Sequence, residues 1–320
     1  MSDWQILLTH CALRFANCEN KSRTAYSPDM RTLPRALPAL VTPFNRSGTL
    51  DTKAHGANVG RMWDLGMRGI LVAGSTGEGP YLEPGERYVL SAEARASAPR
   101  SFVLCGIQAE TVRSAVMEMN EAARGDADAV LVVTPTTLVR HRPDLIEAYF
   151  TEVIDAAPLP VLLYSVPKVT GVELAEESVA SLASRDEVVG MKDSGGDPLR
   201  AGRLVAGAPE GFSLFAGATA AVSLSIASGA FGAITASANY APRLVRDTVS
   251  AAQRSTRTAA ALQHRLTGAS AAIERFGIPA VKYAASRVGF APGKSRSPLG
   301  VATPEEKQAV RRALRAAELV

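Results

Sequence analysis

Val188-Val189-Gly190-Met191-Lys192-Asp193-Ser194-Gly195-Gly196-Asp197 is an apolar run that ends on one lysine and then breaks into a polar, glycine-rich turn. The pattern predicts a buried parallel strand that delivers a single amine to its carboxyl end. In α/β proteins that end of the sheet is where sites are built. Of the seven lysines (21, 53, 168, 192, 282, 294 and 307), only Lys192 closes an apolar strand pattern. A lysine so placed is partly desolvated, which disfavours its charged form. An ordinary lysine at neutral pH is deprotonated in roughly one copy in a few thousand. Only the neutral amine attacks a carbonyl to form a Schiff base. The competing reading is a strand-end lysine that snorkels to solvent, and from this segment alone that is the more frequent outcome.

Outward from this strand the same rhythm repeats. Apolar runs at Ala39–Val41, Gly69–Ala73, Phe102–Cys105, Ala129–Val133, Pro160–Tyr164, Phe212–Phe215 and Phe231–Ile234 bring the count to eight. Amphipathic stretches separate them, such as Asp51–Leu65, with Asp51 as N-cap and Gly66 just past its end. Another is Glu86–Ala98, entered through Pro84. Eight alternations predict a (β/α)8 TIM barrel over residues 35–253. A doubly wound open sheet is the alternative, but no G-x-G-x-x-G follows the first strand. Residues 254–320 predict additional C-terminal helices at Ser255–Leu266, Ala271–Val288 and Pro304–Leu319. These are expected to pack on the barrel or build an oligomer interface.

Residues 1–34 are polar, without clear periodicity, and are expected to be a poorly ordered extension. They do not form a secretory signal, because Asp3 stands where a basic region belongs and Ile6-Leu7-Leu8 is too short. The expected location is cytoplasmic. The alternative is the mitochondrial matrix, if the extension is a transit peptide, although Asp3, Glu19 and Asp29 count against that. Met30 is an equally reasonable natural start.

Composition narrows the function. At 320 residues, 47% hydrophobic and 21% charged, the chain is globular, and no apolar run approaches bilayer length. The formal charge of +4 is spread along the sequence with no basic stripe, so neither nucleic acid nor membrane is an expected partner. Cys11, Cys18 and Cys105 are odd in number and lack metal-ligand spacing, which reads as free thiols in a reducing compartment. The four histidines are dispersed, and no metal or cofactor is expected.

Other strand ends carry candidates. Gly74-Ser75-Thr76-Gly77-Glu78-Gly79 sets two hydroxyls between glycines, suited to a carboxylate or phosphate, though it is also an ordinary turn. Leu163-Tyr164-Ser165-Val166-Pro167 brings a phenol to the rim that holds Lys192, although a strand tyrosine is more often packing. Ser194 shares a face with Lys192 if the strand runs that far. Thr235-Ala236-Ser237-Ala238-Asn239 closes strand eight as a small polar patch.

Taken together, Gly74–Glu78, Leu163–Pro167 with Thr170-Gly171, and Gly190–Ser194 resemble the dihydrodipicolinate synthase / N-acetylneuraminate lyase superfamily of Schiff-base aldolases. The resemblance runs from about Leu37 to Val310. Met191–Asp197, Gln263-His264-Arg265-Leu266 and Arg275-Phe276-Gly277-Ile278-Pro279 are similar to 4-hydroxy-2-oxoglutarate aldolase within it. The resemblance implies that Lys192 forms an imine with a 2-oxo acid and that Tyr164 passes protons beside it. It also implies that Ser75, Thr76, Ser194 and Gly217 bind the substrate, and that the chain is a homo-oligomer, a dimer or homotetramer.

There are departures from the family pattern. Members commonly carry a tyrosine after strand four that reaches a neighbouring subunit's site. Here Thr134-Pro135-Thr136-Thr137-Leu138-Val139-Arg140-His141 has none, leaving Thr137 and His141 as candidate substitutes. Asn239 is a further candidate without an assigned role. Val169 stands where dihydrodipicolinate synthases carry an arginine, and Thr76 where the oxoglutarate aldolase has an asparagine. The resulting expectation is a class I aldolase that cleaves a 4-hydroxy-2-oxo acid, with 4-hydroxy-2-oxoglutarate leading. The alternatives are a dehydratase or hydratase-aldolase acting on a 2-keto-3-deoxy sugar acid, and a pseudo-enzyme that only binds 2-oxo acids.

Overall fold

The apolar runs form eight parallel strands, β1 (Ala36–Pro38), β2 (Gly69–Val72), β3 (Phe102–Ile107), β4 (Ala129–Val133), β5 (Val161–Ser165), β6 (Val188–Asp193), β7 (Ser213–Ala216) and β8 (Gly232–Thr235). Their order is β1-β8-β7-β6-β5-β4-β3-β2, and a parallel bridge from Ala39 to Leu71 brings β1 back to β2. A helix follows each strand: α1 (Thr52–Asp64), α2 (Glu86–Ser97), α3 (Val112–Arg124), α4 (Pro143–Asp155), α5 (Glu176–Ala183), α6 (Pro198–Gly207), α7 (Val222–Ala227) and α8 (Pro242–Ala252), with a further single helical turn, Pro167–Thr170, directly after β5. The computed structural model describes residues 32–254 and 256–320. Their architecture is the expected (β/α)8 TIM barrel plus C-terminal helices, and the expectation for residues 1–31 lies outside the described residues.

Each strand serves two apolar layers because successive side chains point to opposite faces. Leu37, Leu71, Leu104, Leu131, Leu162, Phe215 and Ile234 fill the barrel interior. Ile70, Val103, Val130, Val132, Leu163, Met191 and Leu214 form the outer layer with the helices. Burying each such side chain contributes about 1.5–3 kcal/mol.

One irregularity decides where the chemistry points. Val161 pairs with Val188, but Leu162 pairs with Gly190, so Val189 is an extra residue in β6. Such a bulge resets the alternation. Val161 and Val188 both face the helices; beyond the bulge Lys192 lies opposite the interior residues Tyr164 and Phe215. If residues 188–192 alternated regularly with no bulge, Lys192 would share the outward face of Val188. Gly190 belongs to the same device, because a Cβ there would collide with the Ser213 carbonyl.

Three boundaries differ from expectation. The first strand is Ala36–Pro38 rather than Ala39–Val41, because β8 supplies the ladder for the earlier residues and only Ala39 bridges to β2. Asp51 caps α1 by accepting from the Ala54 amide as expected, but α2 is entered through Gly85 (φ 90°), with Pro84 one step outside the cap. The C-terminal segment forms α9 (Thr256–Ile273), α10 (Ile278–Arg287) and α11 (Pro304–Ala316). Gly268 therefore does not divide α9; a glycine inside a helix costs only about 1 kcal/mol. The break comes at Gly277, where φ is 75° and Pro279 opens the next helix.

Candidate active site

Lys192 and Tyr164 are directly opposite one another on β6 and β5, and both are almost fully buried. The amine donates to the Tyr164 hydroxyl over 3.3 Å and lies 4.4 Å from the centre of its ring. Lys192 has no ion pair among the described residues. Backbone geometry fixes the phenol: the amide and hydroxyl of Thr134, at the end of β4, both donate to the Tyr164 carbonyl, at 3.1 and 3.0 Å.

Ser194 and Gly217 complete this side. The Ser194 amide donates to the Ser165 carbonyl and the Gly217 amide to the Asp193 carbonyl, which draws the ends of β5, β6 and β7 together. A Cβ on Gly217 would collide with Ser194 Oγ and stand 2.9 Å from Lys192 Cε. Glycine at 217 is therefore what leaves room for both the serine and the lysine stem. Asp193 points the other way, toward Arg200 and the Gly195 amide, and burial pushes its carboxyl above the usual range.

The Gly74–Gly79 turn follows β2 at the same end of the barrel. The Ser75 hydroxyl is buried and has no hydrogen-bond partner among the described residues, and Thr76 beside it is half-buried. An unsatisfied buried hydroxyl costs stability unless something else completes it. The turn is held from several sides. Thr42 Oγ1 donates to the Gly77 carbonyl (2.6 Å) and Arg87 to the Gly79 carbonyl (2.9 Å). Glu78, fully buried in a left-handed conformation (φ 59°), pairs with Lys282 at 2.5 Å and accepts from the Arg296 amide at 2.7 Å.

The remaining candidates separate. Asn239 accepts from the Val41 amide and donates to the carbonyls of Ala39 and Ala236, so it stitches β8 to β1 and has no group left over. Thr137 and His141 are exposed, and neither hydrogen-bonds to Lys192 or Tyr164 within the chain. The Thr137 amide is taken by Glu110 at 2.8 Å, and its neighbour Leu138 is 93% exposed.

Sequence reasoning noted the polar patch after β8 but missed the carboxylate that meets it, Glu274. Glu274 sits in a single helical turn (Glu274–Phe276) between α9 and α10. Its Oε1 accepts from the Tyr240 hydroxyl (3.0 Å) and from Thr219 Oγ1 (3.1 Å). Thr219 also lies 3.1 Å from Ser237 Oγ, which in turn lies 3.0 Å from Thr235 Oγ1. Gln263 from α9 fixes this loop by accepting from the Ser223 amide and donating to the Thr219 carbonyl. Burial raises the Glu274 pKa, against the two hydroxyl hydrogen bonds and the charges of Lys168 and Lys192. No motif flags such a group, because it lies far along the chain in a helical segment.

A barrel that brings a buried amine, a phenol and an open hydroxyl turn to its carboxyl end belongs to the class of TIM-barrel enzymes with strand-end sites. The chain matches the Dihydrodipicolinate synthetase family over residues 32–317, and it belongs to that family of lyases and aldolases. It is 33% identical over 288 residues to a 4-hydroxy-tetrahydrodipicolinate synthase of Ruegeria pomeroyi, covering 89% of this chain and 99% of that one. It is 32% identical over 282 residues to 4-hydroxy-tetrahydrodipicolinate synthase 1 of Streptomyces coelicolor, covering 87% and 92%. Among solved structures, dihydrodipicolinate synthase from Acinetobacter baumannii complexed with pyruvate superposes with a TM-score of 0.85 at 26% identity, covering 90% of this chain and all of that one. The Aquifex aeolicus enzyme gives 0.83 at 29% identity, covering 90% and 99%. These relatives bear the name of the synthase rather than that of the 4-hydroxy-2-oxoglutarate aldolase. Among the described residues no group of His, Cys, Asp and Glu is arranged to hold a metal, and no helix is long and apolar enough to cross a membrane.

Proposed function

We propose that this chain is a class I aldolase that cleaves a 4-hydroxy-2-oxo acid to pyruvate and an aldehyde. The observation that carries this is the buried Lys192 amine, in no ion pair among the described residues and 3.3 Å from the Tyr164 hydroxyl. In this reading the amine attacks the C2 carbonyl, and Tyr164 moves protons as the carbinolamine loses water. The protonated imine then takes the electron pair of the C3–C4 bond as the C4 hydroxyl loses its proton and leaves as an aldehyde. Protonation of the enamine at C3 and hydrolysis release pyruvate and restore Lys192. Ser75 and Thr76 hold the C1 carboxylate, which gives the orphaned Ser75 hydroxyl a partner. Holding carboxylate and carbonyl in one orientation is where the site gains its rate.

The motif similarity around Met191–Asp197 and Arg275–Pro279 favours 4-hydroxy-2-oxoglutarate, which would give glyoxylate. A second reading, a 2-keto-3-deoxy sugar acid held by the same imine, is supported by the hydroxyl-rich rim around Glu274. The test is pyruvate with borohydride: one pyruvate-derived mass is expected on the Lys192 peptide. An adduct elsewhere, or none while wild type turns over, overturns the reading. Lys192→Ala is expected to lose turnover by at least about 10³-fold with its fold intact, checked by pyruvate release and thermal melting.

A further inference from the structure

The substrate's first three carbons are accounted for by Lys192, Tyr164 and the Gly74–Gly79 turn, which leaves the tail beyond C4 without a partner. The loops after β7 and β8 lie at the same rim. Thr219 is two residues past Gly217, the residue that packs against the Lys192 stem. Over these loops stands Glu274, brought in by the C-terminal segment. Its Oε1 is fixed by Tyr240 and Thr219, whereas Oε2 has no hydrogen-bond partner among the described residues and the side chain is half-buried. The charges of both Lys192 and Lys168, the latter exposed on the turn after β5, reach the Glu274 carboxyl. Its hydrogen bond to Thr219 ties it to the loop that begins at Gly217, beside the Lys192 stem.

We propose that Glu274 is a specificity-determining residue of the tail subsite, selecting a tail of neutral hydroxyls over a second carboxylate. A hydroxyl can donate to the open carboxylate oxygen, while the buried Thr219 and Ser237 hydroxyls hold the other carboxylate oxygen and the loop in place. A distal carboxylate instead meets a like charge in a partly desolvated rim, where repulsion is least screened. The cations that could offset this, Lys168 and Arg140 (whose guanidinium packs near Gly171), are exposed and better screened. This deepens the aldolase reading and rests on it. Against the motif similarity, which favours 4-hydroxy-2-oxoglutarate, it ranks a 2-keto-3-deoxy sugar acid with hydroxyls from C4 to C6 above that dicarboxylate.

The test compares kcat/KM for these two substrates in wild type and Glu274→Gln, with borohydride trapping of pyruvate run in parallel on both proteins. Wild type is expected to prefer the neutral tail by at least tenfold. Glu274→Gln keeps hydrogen-bonding groups but removes the charge, and is expected to shrink that ratio about tenfold, chiefly through a lower KM for the dicarboxylate. Trapping at Lys192 should be equal in both, which also shows that the variant is folded. Wild-type preference for the dicarboxylate overturns the proposal even if the variant fails to fold, and so does a ratio unchanged in a trapping-competent variant. Trapping without the preference sinks this proposal alone; no trapping in wild type sinks the aldolase reading and this proposal with it.

Discussion

Lys192 and Lys282 are almost equally buried, yet only one of them is available as a nucleophile. Lys282 gives its amine to Glu78, to the Thr42 carbonyl (2.6 Å) and to the Lys294 carbonyl (2.5 Å). Burial lowers its pKa against the pull of Glu78, but every N–H is already engaged. Lys192 has only the phenol. A second residue-scale consequence concerns Val169, which is 69% exposed on the turn after β5 and cannot form the charge-assisted pair with a substrate carboxylate that arginine can. Condensation of pyruvate with aspartate semialdehyde is therefore expected at least about 10²-fold below the aldolase rate. Robust product formation in a coupled assay would overturn this expectation, which runs against the names of the chain's relatives. At this scale the sequence exposed Lys192, Tyr164 and Ser194, because a strand's alternation and a glycine-rich stop are local signals. It could not show that Asn239 is consumed in closing the barrel. Nor could it show that Glu274 comes back to the rim, since both depend on contacts between distant segments.

At the scale of elements, α1 carries a buried titratable group that couples stability to pH. His55 is buried against the Leu90 carbonyl of α2 (3.1 Å), and burial lowers its pKa from 6.5 to about 4. The unfolded chain then binds the extra proton between these values, so stability is fully present above pH 6.5 and falls as pH drops toward 4. At pH 5 the loss is about 2 kcal/mol relative to pH 7. Unfolding free energies from urea titrations at the two pH values are expected to differ by that much more in wild type than in His55→Gln. Equal pH dependence in the two would show that the histidine is not the source. Cys105 in β3 is inert for a similar reason, since burial pushes its thiol to about 11. Strands β2 to β8 and helix α1 were legible from periodicity and capping. The first strand and the α9–α10 break were not. A strand's limits are set by what its neighbours pair with, and a helix tolerates a glycine whose surroundings are empty, as at Gly268.

For the molecule as a whole, the C-terminal helices hold both halves of the site. Lys282 and Arg296 brace the turn after β2, while Gln263 and Glu274 brace the loops after β7 and β8. The segment beyond the eighth barrel helix, its connections included, thus fastens the rim. Leu138, on the loop after β4, is a large apolar side chain 93% exposed, the kind of surface a subunit contact covers. Light scattering is expected to give a dimer or tetramer, and Leu138→Asp to shift the population toward half that mass; a wild-type monomer would refute this. The bulge at Val189 has a consequence of a different kind. The extra residue is absorbed locally, so the register from Gly190 to Asp193 does not depend on it. A relative could lose the codon for Val189 and keep the amine inside the barrel, because three residues on from Val188 a regular strand also points inward. What it would lose is the bend and added twist of a bulge, so a one-residue gap here in a comparison of family members is no sign of lost chemistry.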